Sequence, residues 1–430
     1  MNKAIAHTPT LLELYSLKGK IYQCGGDRRR AAILHEEARN LDKADRAINA
    51  IAALYFLKDG QTQRGIETMD IFVKECGYDV SLHDNQTMWF EQTTARSHYA
   101  NGLYREALKE LWHVTMHAEH MVQDLYDYYG YSMRRFTLQA FEDMLTFADN
   151  TLYKNRTMAQ TAISLIRLEH KVGKIRDEEL EKMEPQFEEW KQTQEYADLQ
   201  KKLSEAEDED EYKNDDDPKG FKLYKNLLEG KYDIGKFVTK VTDKNKDPVL
   251  HAKALPFYIK KGKILKALKS AILLSEEYPS HPKTVPALAK LFSAWLNMSD
   301  AYKKAQTGKD SRLLDVAQAE ITGLGCPASA DKLPAAVEKM LKAVDDPEKR
   351  SLEACHEKVK LFTKVLKAGK KANFEQEAVK ALNDNPLHTL KVFAVVDCHK
   401  SLLKTPGFKD SAFKAKAKEL FPYSTYFESI

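Results

Sequence analysis

The sequence is poor in the residues that make turns. Gly and Pro together are 32 of 430 residues, about 7%, against a usual ~12%. That argues against a turn-rich sandwich or barrel. With 43% apolar residues, collagen-like and wholly disordered classes are excluded too. Cysteine is scarce: Cys24, Cys76, Cys326, Cys355 and Cys398 form no CxxC pair and are odd in number. They suit reduced thiols better than a disulfide frame. The longest apolar run, Ala50–Leu57, is far short of the ~20 residues of a membrane span. The start, MNKAIAHTPT, has neither a signal-peptide core nor an Arg/Ser-rich transit pattern. A soluble cytoplasmic chain with no membrane partner is expected.

Catalytic motifs are also missing. There is no GxGxxG after a strand, no Walker loop, no nucleophile elbow and no HExxH. Paired carboxylates such as Glu36-Glu37 and Asp345-Asp346 sit in charged helical or capping contexts and read as solvated faces. The expectation is a chain without catalytic residues, cofactor or metal of its own.

What the sequence does have is helical periodicity almost everywhere. Leu11–Tyr22, Arg30–Leu41 and Arg105–His120 place apolar residues at three- and four-residue spacing. The fold class is all-α. The pattern also repeats, as a tetratricopeptide array does: antiparallel helix pairs of 34 residues, small residues where helices cross and a turn between them. The first unit has Tyr15, Gly19 and Tyr22, a turn at Gly26, then Ala31 and Ala38. The second has Ala53 and Phe56, Gly60 at the turn, then Gly65, Met69 and Phe72. The third has Trp89, Ala95 and His98, Gly102, then Ala107, Leu111 and Val114. Tyr258, Gly262, Ala267, Ala271 and Pro279 repeat the register later. A lone helical hairpin cannot bury both faces, so a right-handed solenoid of stacked hairpins is expected.

Charge divides the chain. Residues 218–430 hold 39 Lys and Arg against 24 Asp and Glu, a balance of +15; residues 1–217 hold 28 against 40, a balance of −12. The segment Ser204–Asp217 has nine acidic residues of fourteen. Like charges at that density bury no apolar area, so an exposed, mobile linker is expected. Upstream, Asp177–Leu203 is a charged helical stretch carrying Met183, Phe187 and Trp190. The organisation is then a repeat array over 1–170, a charged helix and acidic linker over 171–217, and a basic helical region over 218–430. A loop at Gly323–Ala330 divides the last.

Three groups of residues invite a role. His113, His117 and His120 lie four and three apart, on one helical face, as metal ligands can. No cysteine completes a site, and solvent-facing histidines are the simpler reading. Asp124–Tyr131 is dense in tyrosine and leads into Arg134-Arg135. Leu125, Tyr128, Tyr129 and Tyr131 could pack between hairpins, while Tyr126, Tyr128, Tyr131, Arg134 and Arg135 are candidates for contacting a partner. In the basic half, Lys260, Lys261 and Lys263 surround one helix start, and Lys358, Lys360, Lys364 and Lys367 stripe another helix. Lysine-rich faces suit sequence-independent attraction to RNA phosphates.

Four stretches together resemble a known family: His7–Tyr22, Glu37–Asn49, Met88–Lys109 and Asp124–Phe141 are similar to the C-terminal half of the auxiliary subunit of the N-terminal acetyltransferase A complex. The resemblance covers 1–170 well and continues weakly through Asp247–Leu296 and Pro422–Phe427. It implies a non-catalytic tetratricopeptide scaffold that wraps a GNAT-type catalytic subunit and anchors it on the ribosome, cytoplasmic and ribosome-associated. The catalytic partner uses acetyl-CoA to acetylate nascent polypeptides. Ribosomal RNA then becomes the target of the basic half. The resemblance also implies an inositol hexakisphosphate site, onto which Lys18, Lys20, Arg46 and Lys58 map; Ile51 and Leu54 stand where relatives have lysine. The acidic Glu205–Asp217 stands where relatives are lysine-rich. The alternative expectation is a truncated repeat adaptor that recruits another protein or RNA and no acetyltransferase.

Overall fold

The computed structural model describes residues 1–74, 82–83, 85–205, 215–299, 303, 311–344, 352–365, 374–385, 390–405, 408 and 411–428. The described residues form helices and no β-strand, so the chain is all-α. None of these helices is long and apolar enough to cross a membrane. Two compact units emerge. Asn2–Tyr15 with Ala32–Asn245 forms one, and Met1, Ser16–Ala31 and Lys246–Ile430 form the other.

The helices in order are α1 (Asn2–His7), α2 (Leu12–Gly25), α3 (Arg28–Leu41), α4 (Arg46–Asp59) and α5 (Thr62–Lys74). Then come α6 (Met88–Ala100), α7 (Tyr104–Arg135), α8 (Leu138–Asn150), α9 (Arg156–Val172), α10 (Arg176–Lys191), α11 (Gln194–Glu205), α12 (Phe221–Leu228) and α13 (Gly235–Lys244). In the unit of Asn2–Tyr15 and Ala32–Asn245, α4 pairs with α5 and α6 with α7, and α4 and α9 pack on α6. These are tetratricopeptide-like hairpins. Asp45 caps α4, its Oδ1 accepting the N–H groups of Ala47 at 2.7 Å and Ile48 at 3.1 Å. Gly60 ends α4 at φ +86°, a left-handed conformation that favours glycine. At Gly65 the helices cross so closely that a Cβ would lie 2.7 Å from Leu57 Cδ2. The small residues expected at crossings, Ala53, Ala95 and Ala107, are at most 1% exposed. Two buried amides bridge neighbouring helices: Asn49 Nδ2 donates to Thr68 O at 2.7 Å, and Gln92 Nε2 donates to Thr161 Oγ1 at 2.5 Å. An unmatched polar group there would be costly, so these pairs fix the stacking register.

The charged stretch beyond α9 is docked by its aromatics. Trp190 lies 5.4 Å and Phe187 5.1 Å from the Phe221 ring of α12. Residues 206–214 of the acidic tract lie outside the described residues. Of its last three residues Asp216 is exposed and the other two are tied to the fold. Asp215 pairs with Lys109 at 2.7 Å, and the buried Asp217 accepts the Leu223 N–H at 2.8 Å.

The second unit holds α14 (Pro248–Lys260), α15 (Ile264–Glu277), α16 (Thr284–Asn297), α17 (Ser311–Gly323) and α18 (Leu333–Val344). It continues with α19 (Leu352–Lys360), α20 (Phe374–Asp384), α21 (Val392–Leu402), α22 (Ser411–Leu420) and α23 (Thr425–Glu428). Asp247 caps α14 with Pro248 following it, the arrangement that suits a helix start. The α14/α15 hairpin turns at Gly262, φ +72°, and buries Tyr258, Ala267 and Ala271 as its repeat register requires. α16 covers that hairpin with Leu288, Leu291, Phe292 and Trp295. A further cluster includes Phe362, Phe374, Val395, Phe413 and Phe427. Within it the buried His399 stacks on Phe413 and meets the Tyr426 hydroxyl at 3.0 Å. Residues 16–31 join this same unit: Tyr22 packs edge-on against Tyr423 at 5.7 Å. A Cβ on Gly26 would lie 3.1 Å from Val392 Cγ2.

Candidate partner-docking surface

The surface arises from a mismatch in helix length. α6 has 13 residues and α7 has 32, or about 20 and 48 Å at 1.5 Å per residue. The first half of α7 lies along α6 and α9 and buries Ala107, Leu108, Leu111, Val114 and Ala118. The second half outruns α6. From Val122 on, only Leu125 and Ser132 of α7 are buried. Tyr126 is 82% exposed, Tyr128, Tyr129 and Tyr131 are half exposed, and Met133 is exposed as well. α7 ends at Phe136, which holds φ +59° and leaves its ring 89% exposed. Leu138 and Leu145 on α8 extend the apolar surface.

The aromatics fall in two stripes. Val122, Tyr126, Tyr129 and Met133 follow one helical spacing, and Tyr128, Tyr131 and Arg135 another. The first stripe faces a groove of about 950 Å³ between α7, α8 and α13, floored by Leu125, Phe141 and Ala148. Tyr129 meets Phe141 with ring centres 5.7 Å apart. The groove rim is polar: Lys240 Nζ donates to Glu119 Oε1 at 2.9 Å and Lys244 Nζ to Asp149 O at 2.6 Å. The second stripe carries cations. Arg135 lies 5.8 Å from the Tyr131 ring, and Arg134 Nε donates to Gly130 O at 3.2 Å. Of the residues that could pack between hairpins, Leu125 is buried and Tyr129 packs in part against Phe141, while Tyr128 and Tyr131 stay half exposed. Exposed apolar surfaces of this size are uncommon on monomeric proteins, and tyrosine and arginine are what protein interfaces concentrate.

The histidines expected to face solvent do not. His113 and His117 are buried. His117 Nε2 and Glu91 Oε1 are 2.7 Å apart, and His83 Nδ1 reaches the same oxygen at 3.1 Å. His83 stacks on His113 at 3.7 Å. Burial and the neighbouring charges push the His113 pKa far down. Burial would lower His83 as well, but the Glu91 hydrogen bond and the charges of Glu110 and Glu91 outweigh it and raise its pKa. Burial pushes the Glu110 carboxyl up to about 7. The cluster is an internal polar knot of the α6/α7 hairpin. Among the described residues no group of three His, Cys, Asp or Glu could hold a metal ion.

The basic candidates divide. Lys260 and Lys261 are exposed at the α14/α15 turn, with Lys263 half-buried beside them. Lys358 pairs with Glu377 at 2.8 Å and Lys360 with Glu357 at 3.4 Å, so carboxylates of the same unit face both. The expected stripe also breaks after Lys360, where Leu361–Val365 adopts a π-helical turn. The Lys364 side chain and all of Lys367 lie outside the described residues, as do Cys76 and Asp345-Asp346. Lys18 and Lys20 belong to one compact unit, Arg46 and Lys58 to the other. Lys58 lies over the Tyr55 ring at 4.7 Å and Arg46 over Phe72 at 5.5 Å.

Comparison with known proteins bears on the unit that carries this surface. Residues 1–173 match the family described as N-terminal acetyltransferase A, auxiliary subunit. The Arabidopsis thaliana N-terminal acetyltransferase A complex auxiliary subunit NAA15 is 36% identical over 167 residues, 39% of this chain and 18% of that protein. The Homo sapiens N-alpha-acetyltransferase 16, NatA auxiliary subunit, is 37% identical over 150 residues, 35% of this chain and 17% of that protein. The chain therefore spans under a fifth of the length of these relatives. Among solved structures, Naa15/Naa10 bound to HypK-THB superposes with a TM-score of 0.56 at 24% identity, covering 75% of this chain and 42% of that one. That likeness is one of fold, an all-helical tetratricopeptide-like array. Over residues 1–173, where α7 and its exposed aromatics lie, the chain is similar to the N-terminal acetyltransferase A auxiliary subunits.

Proposed function

We propose that this chain is a non-catalytic auxiliary scaffold that binds a GNAT-type acetyltransferase subunit through the exposed second half of α7 and the start of α8. The observation that carries the reading is the placement of that aromatic surface inside the family-matched segment. A scaffold needs rigid helices and one sticky face; the α6/α7 hairpin supplies both. In this reading the bound partner uses acetyl-CoA to acetylate the N-termini of nascent chains. Lys260 and Lys261 would then contribute to attraction toward ribosomal RNA. Lys18, Lys20, Arg46 and Lys58 remain the residues to test for inositol hexakisphosphate.

The test mixes the full chain with a purified GNAT-type catalytic subunit. Co-elution on size exclusion and faster acetylation of a Ser-starting peptide are expected. A stably folded chain that forms no complex at about 10 μM, where a specific interface of ordinary affinity is saturated, favours an adaptor for some other partner.

A further inference from the structure

A second feature of the same unit lies away from the docking surface. Along α9, Arg156, Gln160, Ser164, Arg167 and Lys171 recur at spacings of four, four, three and four, which places them on one helical face. Facing them on α6 are Arg96 and Tyr99. Arg96 Nη2 donates to Gln160 Oε1 at 2.7 Å, which ties the two helices together at this stripe. Between α6, α7 and α9 sits a cleft of about 80 Å³. Its floor is apolar, with Ala95, Ala107 and Leu111, and its rim is Arg96, Arg167, Tyr99 and Ser164.

Arg96 and Arg167 meet at this cleft, while Arg156 and Lys171 stand toward opposite ends of the same α9 face. Among the described residues, Arg156 and Arg167 make no hydrogen bond or ion pair, Arg96 meets the Gln160 amide, and Lys171 lies 5.9 Å from the Tyr104 ring. Several other cations of the unit do find acids: Arg64 pairs with Glu36, Arg105 with Glu106 and Lys109 with Asp215. Burial, then the charges of Arg167 and Arg156, hold Arg96 below the ordinary guanidinium range. Arg156 also occupies the first turn of α9, which has no acidic residue; a cation there opposes the helix dipole. The folded chain gains nothing from such an arrangement. An anion would relieve it.

We propose that this cleft binds a dianionic phosphoryl group carried on a short apolar or aromatic stem. Guanidinium forks match phosphoryl oxygens in pairs. A single carboxylate would neutralise one of the two rim charges, whereas a phosphoryl group brings about two. The apolar floor accepts the stem, and the Tyr99 and Ser164 hydroxyls can donate to remaining oxygens. Free phosphate and a phosphorylated side chain share this chemistry, and the floor favours the latter.

The experiment is calorimetric titration of the full chain with inorganic phosphate, O-phosphoserine, O-phosphotyrosine and the unphosphorylated amino acids. O-phosphotyrosine should bind most tightly, the unphosphorylated forms not at all. Arg96→Gln/Arg167→Gln should weaken binding about tenfold or more, the scale of one lost charge-assisted hydrogen bond, with a cooperative thermal melt confirming that the chain is folded. Arg167→Lys keeps the charge, loses the fork and should weaken binding without unfolding risk. No binding of any phosphorylated probe up to about 10 mM overturns the proposal, as does binding indifferent to both variants. Inorganic phosphate binding as tightly as O-phosphotyrosine overturns the stem.

Discussion

Phe136 offers a perturbation whose two consequences run in opposite directions. It holds φ +59° at the end of α7, where its own N–H and that of Thr137 both reach Ser132 O. A non-glycine residue in that conformation costs roughly 1–2 kcal/mol. Glycine relieves this but adds roughly 0.5–1 kcal/mol of unfolded-state entropy. The ring is 89% exposed, so its loss removes only a few tenths of a kcal/mol of packing. Phe136→Gly should therefore leave the chain equally stable or more stable by about 0.5–1 kcal/mol, a midpoint rise of up to about 3 °C. If the ring is held out to dock the catalytic subunit, the same change removes an aromatic anchor. Such anchors are worth about 2 kcal/mol or more, roughly thirtyfold in affinity. The assays are a thermal melt and biolayer interferometry against a GNAT-type subunit. A fall in midpoint of several degrees would refute the reasoning about strain. A maintained midpoint with undiminished affinity would refute this surface as the docking site.

Leu125 and Tyr126 are neighbours with opposite environments, 8% and 82% exposed. Leu125→Ala should cost about 3 kcal/mol of folding stability and Tyr126→Ala under ~0.5 kcal/mol, read by chemical denaturation; equal costs would contradict the placement. Glu110 binds its proton more tightly in the folded chain, with its pKa at about 7 against an ordinary 4.5. Its contribution is thus present below pH 4.5 and lost as pH rises through about 7. Glu110→Gln should remove that decline and gain roughly 2–3 kcal/mol over the native chain at pH 8, so parallel pH–stability curves would count against it. Asp247→Ala removes the acceptor for the Val249 and Leu250 N–H groups and should destabilise the unit containing α14 by about 1 kcal/mol, seen as faster amide exchange in that helix.

Much of this architecture is legible in the sequence because it rests on local rules. Gly60, Gly102 and Gly262 mark turns that need positive φ, and they have it. Ala53, Ala107, Ala267 and Ala271 recur at helical spacing because helix crossings admit only small residues. The histidines were misread for a physical reason. His113 and His117 look polar on an amphipathic helix, but their partners, His83 and Glu91, lie outside that helix, and polar matching across elements leaves no periodicity. The tyrosines of α7 failed the opposite way. Their spacing fits a core face, yet α6 is too short to cover them, and the length of a neighbouring helix is not written in α7 itself. The acidic tract was read by composition, which cannot show that Asp215 and Asp217 find Lys109 and the Leu223 amide.

The packing of residues 16–31 with Val392, Tyr423 and Ser424 has a consequence for the order of synthesis. A ribosome releases those early residues long before the chain segment they pack on exists. Contacts between segments so far apart in sequence close long loops and form slowly. The other unit, drawn largely from one continuous stretch, can complete its hairpins while translation continues. The tyrosine-rich surface of α7 would thus be formed while the apolar side of Ser16–Ala31 still waits, exposed, for residues 392–424 to emerge. That interval is when a nascent chain is most open to chaperones and to misassociation.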